Sequence, residues 1–448
     1  MTRKEFLRFL GLAGITATVP FSMSLTTAGA YTGKLFVMIH TGGGWDPTSF
    51  MDPKGTANGI NRFDNMVSHN GFTWAPTLSS ANFDNSTNSL AYKFLDELGT
   101  RMLVINGIDT ETNNHGVGPR YVWSGKLPTG NPTFGALLAA ACASHLPLAF
   151  ISNGGFQSTE GIIAPSRINN SSLIEAISAP NTYNSNKVFT DATFDRIRAY
   201  RDARHQEKIG QQYLPVIKAA MQSLTDARIG EKDLKNFVSF YQSMESGANS
   251  LANIQASLDP VITADTRVQN RCMSLIQQFR IAYAAYQAGI CSAVNLSIGG
   301  FDTHANHDTL HFPLVAAVQE AIRKIVGITT TTDLSQLFIA VGSDFGRTPK
   351  YNGGNGKDHW PITSMMFLAE GANFRTGVIG GTDTAQKALK VRPSDLVVDN
   401  SAGATIKPSH IQRALRKYAG ISNNSIVTNF PIAVAATETS FDNLIDPT

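Results

Sequence analysis

Six apolar runs, each closed by a glycine or a polar loop, constrain this chain more than any other feature: residues 34–40, 101–106, 148–152, 291–298, 334–341 and 363–368. None alternates apolar with polar, so each reads as a short strand buried on both faces. Helical patterns fall between them, at 134–144 and at 313–326, where Leu314, Val315, Val318, Ile322 and Ile325 share one face and Pro313 sits in the first turn. Strands alternating with helices imply an α/β fold, a mostly parallel central sheet with helices on both faces. In such sheets functional loops gather at the carboxyl ends of the strands. Residues 52–90 are rich in Asn, Ser and Gly and read as an irregular surface excursion. From about 195 to 289 charged residues rise and glycines thin out, which predicts a helical insertion in a single domain covering 31–448.

Composition narrows the function classes. Hydrophobic residues make up 42% of the 448 and charged residues 16%, which excludes wholesale disorder. The net charge is +3, and Arg3, Lys4 and Arg8 carry most of it. What remains is too little for a nucleic-acid footprint, so no nucleic acid is expected as partner. Cys142, Cys272 and Cys291 are widely spaced in apolar surroundings; they read as buried thiols, with one disulfide open to them.

Three loops that follow strands carry Asp46, Asp302 with His304, and Asp344, and a fourth adds Asp358 and His359. Any one Asp alone reads as a turn or a helix cap. Together at one sheet edge they form a carboxylate and imidazole set of the kind that binds zinc or manganese, one or two divalent ions. His307 and His311 precede Pro313, which predicts that the helix starts after them and leaves both in the loop. Arg347 and Arg120 could clamp an anion, or serve in structural salt bridges. Trp45 and Trp360 flank the pocket, as its walls or as core. No P-loop, G-x-G-x-x-G, G-x-S-x-G or H-E-x-x-H pattern occurs, which disfavours nucleotide binding and triad hydrolysis.

Four stretches, Gly43-Gly44-Trp45-Asp46, Gly300-Phe301-Asp302-Thr303-His304-Ala305-Asn306, Ser343-Asp344-Phe345-Gly346-Arg347-Thr348 and Lys357-Asp358-His359, resemble the exported DUF1501 proteins, which look like members of the alkaline phosphatase and sulfatase superfamily. The resemblance implies an alkaline phosphatase-like fold. It also implies one ion on Asp46 and Asp344, and a second on Asp302, His304 and His359. Two departures stand out: Phe345 occupies the place of a ligand histidine, and His115 begins the helix that in the superfamily opens with the nucleophilic Ser or Thr. Either His115 replaces the missing ligand, or catalysis is lost or altered. The implied activity is metal-dependent hydrolysis of a phosphate or sulfate ester, of a small molecule or a polymer, with His115, Arg120 and Arg347 as catalytic candidates. The competing reading is a noncatalytic exported binding or structural protein on the same fold.

The first thirty residues show a charged start, an apolar stretch and Ala28-Gly29-Ala30 before Tyr31, the order of an export signal peptide. Thr2-Arg3-Lys4-Glu5-Phe6-Leu7 resembles the twin-arginine motif, with Lys4 in place of the second arginine. The apolar stretch is short and rich in Gly, Ala and Thr, so the membrane is met only during export and the protein ends up periplasmic or secreted. N-terminal sequencing of protein from the cell envelope should therefore start near Tyr31, and replacing Arg3 and Lys4 by Gln should block export. An intact Met1 in the cytosol would refute this.

Overall fold

The computed structural model describes residues 30–79, 82–168, 181–183, 186–215, 217–218, 221–222 and 231–448; the expected leader, apart from Ala30, lies outside them. Eight strands form the central sheet: β1 (Leu35–Gly42), β2 (Met102–Asp109), β3 (Phe150–Ser152), β4 (Pro165–Ser166), β5 (Ala293–Gly299), β6 (Leu337–Ser343), β7 (Ile362–Ala369) and β8 (Gly377–Gly380). Their order in space is β8-β2-β7-β6-β1-β5-β3-β4. Central β1 runs parallel to β5 and to β6, with Phe36 level with Ala293 on one side and Phe338 on the other. Successive side chains leave opposite faces. Leu35, Val37 and Ile39 enter one core and Phe36 and Met38 a second, which is why the run shows no polar alternation.

The helices that matter for the site are α1 (Leu90–Leu98), α2 (Gly118–Ser124), α3 (Phe134–Cys142), α4 (Asp191–Gly210), α5 (Glu231–Ser246), α6 (Thr266–Gln287), α7 (His307–Ile328) and α8 (Pro408–Tyr418). α1, α6 and α7 cover the first core, and α3 and α8 the second. The stretch read as a helical insertion holds α4, α5 and α6, and of these α6 buries Leu275, Ile276 and Phe279 against the sheet. All three cysteines are free; Cys272 and Cys291 are buried, while Cys142 is exposed. Among the described residues no helix is long and apolar enough to cross a membrane.

Two elements differ from expectation. The strand at 363–368 is antiparallel to β6 and to β2 rather than parallel. No helix lies between β6 and β7, and without a crossover the chain can only turn back along its own edge. Helix α7 begins at His307, well before Pro313, so His307 and His311 lie on it and not in a loop. Proline inside a helix forfeits one hydrogen bond, but this segment also buries His307, His311, Phe312 and Leu314, and that burial holds the turn together.

A buried ion pair ties the edge loops to one another. Lys357 Nζ donates to Asp46 Oδ2 at 2.7 Å and to Thr48 Oγ1 at 3.0 Å, and both charged side chains are fully buried. Asp46 also accepts from Thr48 N, Thr48 Oγ1 and Ser49 Oγ at 2.8–3.1 Å, and His307 Nε2 stands 3.2 Å from it. His311 Nε2 accepts from the Asp46 backbone N–H at 2.9 Å, and Thr303 Oγ1 joins His307 Nδ1 at 2.7 Å. Burial pushes the Asp46 carboxyl up, but Lys357 and His307 outweigh it and hold the group well below its ordinary value. Burial pushes the His307 and His311 imidazoles down.

These shifts fix a pH dependence. A free His titrates near 6.5 and a free Asp near 3.9, and all three folded values lie lower, so the unfolded chain takes up protons first. The urea midpoint should fall as pH drops below about 6.5, and again below about 4. At pH 7, Lys357→Ala leaves a buried carboxylate unpaired and should cost about 3–5 kcal/mol. A midpoint that stays flat to pH 3 would contradict the buried network.

Candidate metal centre

Loops from three parts of the chain meet above the carboxyl ends of the central strands. The loop after β5 brings Asp302 and His304, the β6–β7 connection brings Asp344, Arg347, Asp358 and His359, and the loop after β2 brings His115 just ahead of α2. Within the β6–β7 connection, Gly346–Arg347 pairs antiparallel with His359–Trp360, so His359 stands across from Arg347. The turn after β1 needs its glycines: at Gly43 (φ +120°) a Cβ would lie 2.5 Å from Asp302 N, and at Gly44 (φ +84°) it would lie 2.6 Å from the Phe345 ring.

Three imidazoles point the same way for the same reason. His115 Nδ1 stands 2.6 Å from Asp344 Oδ2, His304 Nδ1 2.7 Å from Asp358 Oδ1, and His359 Nδ1 2.8 Å from the Asn113 carbonyl. Carboxylate and carbonyl oxygens only accept, so each ring donates from Nδ1, and in its neutral form it keeps its lone pair on Nε2. All three Nε2 atoms face Asp302, at 3.5 Å for His115, 3.0 Å for His304 and 3.2 Å for His359. The His304 and His359 Nε2 atoms stand 3.0 Å apart. Two lone pairs meeting at that distance repel unless a proton or a metal cation lies between them. Imidazoles that hand their other N–H to a carboxylate or carbonyl form the usual surroundings of a metal ion. The separations also match the roughly 3.3 Å edges of a tetrahedron with bonds of about 2.0–2.1 Å. His115, Asp302 and His359 offer donor atoms within 4.8 Å of one another. His115, Asp302 and His359 therefore fit one divalent ion, and His304 Nε2 stands 3.0 Å from both Asp302 and His359.

The carboxylates around the rings are held ionised. Burial pushes the Asp344 carboxyl up, but hydrogen bonds from His40 and His115 outweigh it and leave it below its ordinary value. Burial likewise raises the Asp302 group, and Arg347 and His359 together outweigh it. Asp358 is lowered chiefly by its hydrogen bond with His304. Phe345 is fully buried, with its ring 4.8 Å from His115 and 4.6 Å from His359, an apolar wall behind both. Beside the centre a cleft of about 400 Å³ opens between His40, His115, Pro119, Phe156 and Gly299.

Not every residue singled out in the sequence arrives at this centre. Asp46 belongs to the buried pair with Lys357 and does not share a site with Asp344. Asp344 is almost fully buried, with Oδ1 facing His40 Nε2 at 3.0 Å and Oδ2 facing His115; it orients a ring. Arg347 is fully buried: it donates to the carbonyls of Gly43, Gly44 and Lys357 and reaches Asp302 Oδ1 at 2.5 Å, so four of its five N–H donors are committed and it fixes that carboxylate. Arg120 reaches back to the Gly116 carbonyl at 3.3 Å. Trp45 packs in the core against Phe50, while Trp360 Nε1 donates to Gln386 O. Sequence reasoning missed His40, which ends an apolar strand and looks like a core residue. It also missed Asn113, whose contribution is a backbone carbonyl that any residue type could supply.

The family described as "Protein of unknown function (DUF1501)" matches residues 33–414. No curated protein matches the chain in sequence. Among solved structures the chain is similar to Ps i-CgsB, at 8% identity with a TM-score of 0.39, covering 92% of this chain and 77% of that one. It is also similar to a variant of TAB5 alkaline phosphatase with Mg bound, at 9% identity and a TM-score of 0.35 over 88% and 99% of the two chains. A third likeness is to the lipoteichoic acid synthase LtaP from Listeria monocytogenes, at 9% identity and a TM-score of 0.33 over 86% and 78%. At these values the likenesses say nothing of what this chain acts on.

Elemental analysis of the purified protein should give close to one divalent ion per chain. Single substitutions Asp302→Asn, His304→Ala or His359→Ala should each weaken zinc binding by more than about 100-fold, beyond what loss of an outer partner costs. Asp46→Asn should lower stability without lowering the ion count. Two ions per chain, or one lost in Asp46→Asn, would place the centre elsewhere.

Proposed function

The chain belongs to the DUF1501 family, and from that premise we propose that it is an exported single-ion hydrolase of an anionic phosphate or sulfate ester. The observation that carries this reading is the convergence of three Nε2 lone pairs, each fixed from behind, on one carboxylate. His115, Asp302, His304 and His359 would hold the ion. When bound, a divalent ion supplies a Lewis acid that polarises an ester oxygen and activates water.

The chain's own groups account for the rest. Arg347 holds Asp302 in place from its buried side. Asp344, Asp358 and the Asn113 carbonyl keep the three rings in one tautomer, so no reorganisation is needed when substrate arrives. Phe345 keeps water from the back of two rings. The cleft beside His115 is walled by glycines, Pro119 and Phe156, which admits a bulky alcohol portion close to the centre. With Arg347 committed, a cation beside this wall is Arg271: it is exposed, forms no hydrogen bond or ion pair with a described residue, and lies over Gly299 and Gly300. Arg271 would receive the anionic group of a small or polymeric ester.

A panel of phosphate and sulfate monoesters and diesters, assayed with zinc and with manganese, tests the reading. Turnover should appear and should drop by more than about 100-fold in His115→Ala and in Asp302→Asn. Arg271→Ala, by removing one charge-assisted contact, should raise KM roughly 10-fold. A wild type inert across the panel, in which stripping the ion only lowers the melting temperature, would replace this reading by that of a noncatalytic exported protein that keeps the ion for stability.

A further inference from the structure

His40 lies near the end of β1, faces the cleft, and is nearly buried. Its Nδ1 stands 3.0 Å from Trp123 Nε1. An indole N–H can only donate, so His40 Nδ1 carries a lone pair and the ring's hydrogen is on Nε2. That Nε2–H points at Asp344 Oδ1, 3.0 Å away, while Asp344 Oδ2 receives the Nδ1–H of His115 at 2.6 Å. The backbone N–H of Gly43 supplies a further donor to Oδ1 at 3.3 Å. Every polar contact in the line Trp123, His40, Asp344, His115 therefore has one direction. Reversing any member would set two donors or two acceptors face to face.

Both ends of this line are set by one short helix. His115 stands just before α2, and Trp123 lies in its last turn, packed under the sheet where a Cβ on Gly342 would meet its ring at 3.4 Å. The indole thus fixes a histidine on β1, the histidine fixes a carboxylate after β6, and the carboxylate fixes a ring at the start of the indole's own helix. We propose that Trp123 and His40 are positioning residues for the ion centre: by dictating the orientation of Asp344 they aim the Nε2 lone pair of His115 at Asp302. This rests on the single-ion reading above. It gives two residues outside the ligand set, neither of which touches the ion, a quantitative effect on how tightly it is held.

The direct test is the tautomer in the wild-type protein, read by long-range proton–nitrogen-15 correlation of the imidazoles. His40 should carry its hydrogen on Nε2 and His115 on Nδ1. The second arm measures zinc affinity by chelator competition, with the absorption of the cobalt-substituted protein as a spectroscopic check. Trp123→Phe keeps an aromatic ring but deletes the donor, and should weaken zinc binding about 10–100-fold. His40→Leu should do the same. His40→Gln, whose amide can accept from the indole and donate to Asp344, should restore most of the affinity, a rescue that a purely packing role would not give. A wild-type protein that binds zinc with the His40 hydrogen on Nδ1 would overturn the proposal alone, as would Trp123→Phe and His40→Leu affinities within about twofold of wild type. A wild-type protein that shows the expected tautomers yet binds no zinc would overturn the single-ion reading instead.

Discussion

The buried pair of Lys357 and Asp46 is the contact on which the rest of the sheet edge depends. An ammonium and a carboxylate taken fully out of water are tolerable only when each is paired and its remaining valences are met by hydrogen bonds. Here they are met, by Thr48, Ser49 and His307. The pair joins the turn after β1 to the β6–β7 connection, and the Lys357 backbone N–H also bonds to Thr303 O at 3.1 Å, bringing in the loop that carries Asp302. These segments lie far apart in sequence. Their relative placement within a few tenths of an ångström is what an ion-binding arrangement requires, and loops with only solvent-exposed contacts would not hold it.

Two ways of neutralising a carboxylate divide this edge. Asp46 is neutralised from inside by Lys357. Asp302 is exposed on one side and faces three imidazole lone pairs there, while Arg347 holds it from behind. Asp344 and Asp358 take a third position, each spent on orienting a ring. The difference lies in what each carboxylate meets, a cation of the protein, an N–H, or a cluster of lone pairs. Residue type alone leaves those three outcomes equivalent.

The two misplaced elements share a cause with that outcome. Pro313 is a strong local signal, yet α7 starts before it because His307 and His311 are drawn into the buried network around Asp46, a contact made with a residue far along the chain. The direction of β7 was likewise set by a feature that is absent, a crossover helix, in a segment whose composition is that of any buried strand.

The sequence by itself determined the α/β class, six of the eight strands of the sheet, and the edge at which Asp302, His304, Asp344 and His359 gather, because unalternating apolar runs bury on both faces and their loops must exit at the ends. It also singled out His115, through the family resemblance of the helix that it opens. Only the tertiary structure decided which carboxylate binds which partner. It alone put Lys357 against Asp46, spent Arg347 on backbone carbonyls, and brought His40 and Trp123 to Asp344. The reason is physical: the direction of a hydrogen bond and the tautomer of an imidazole are properties of a pair, and the members of these pairs come from different strands.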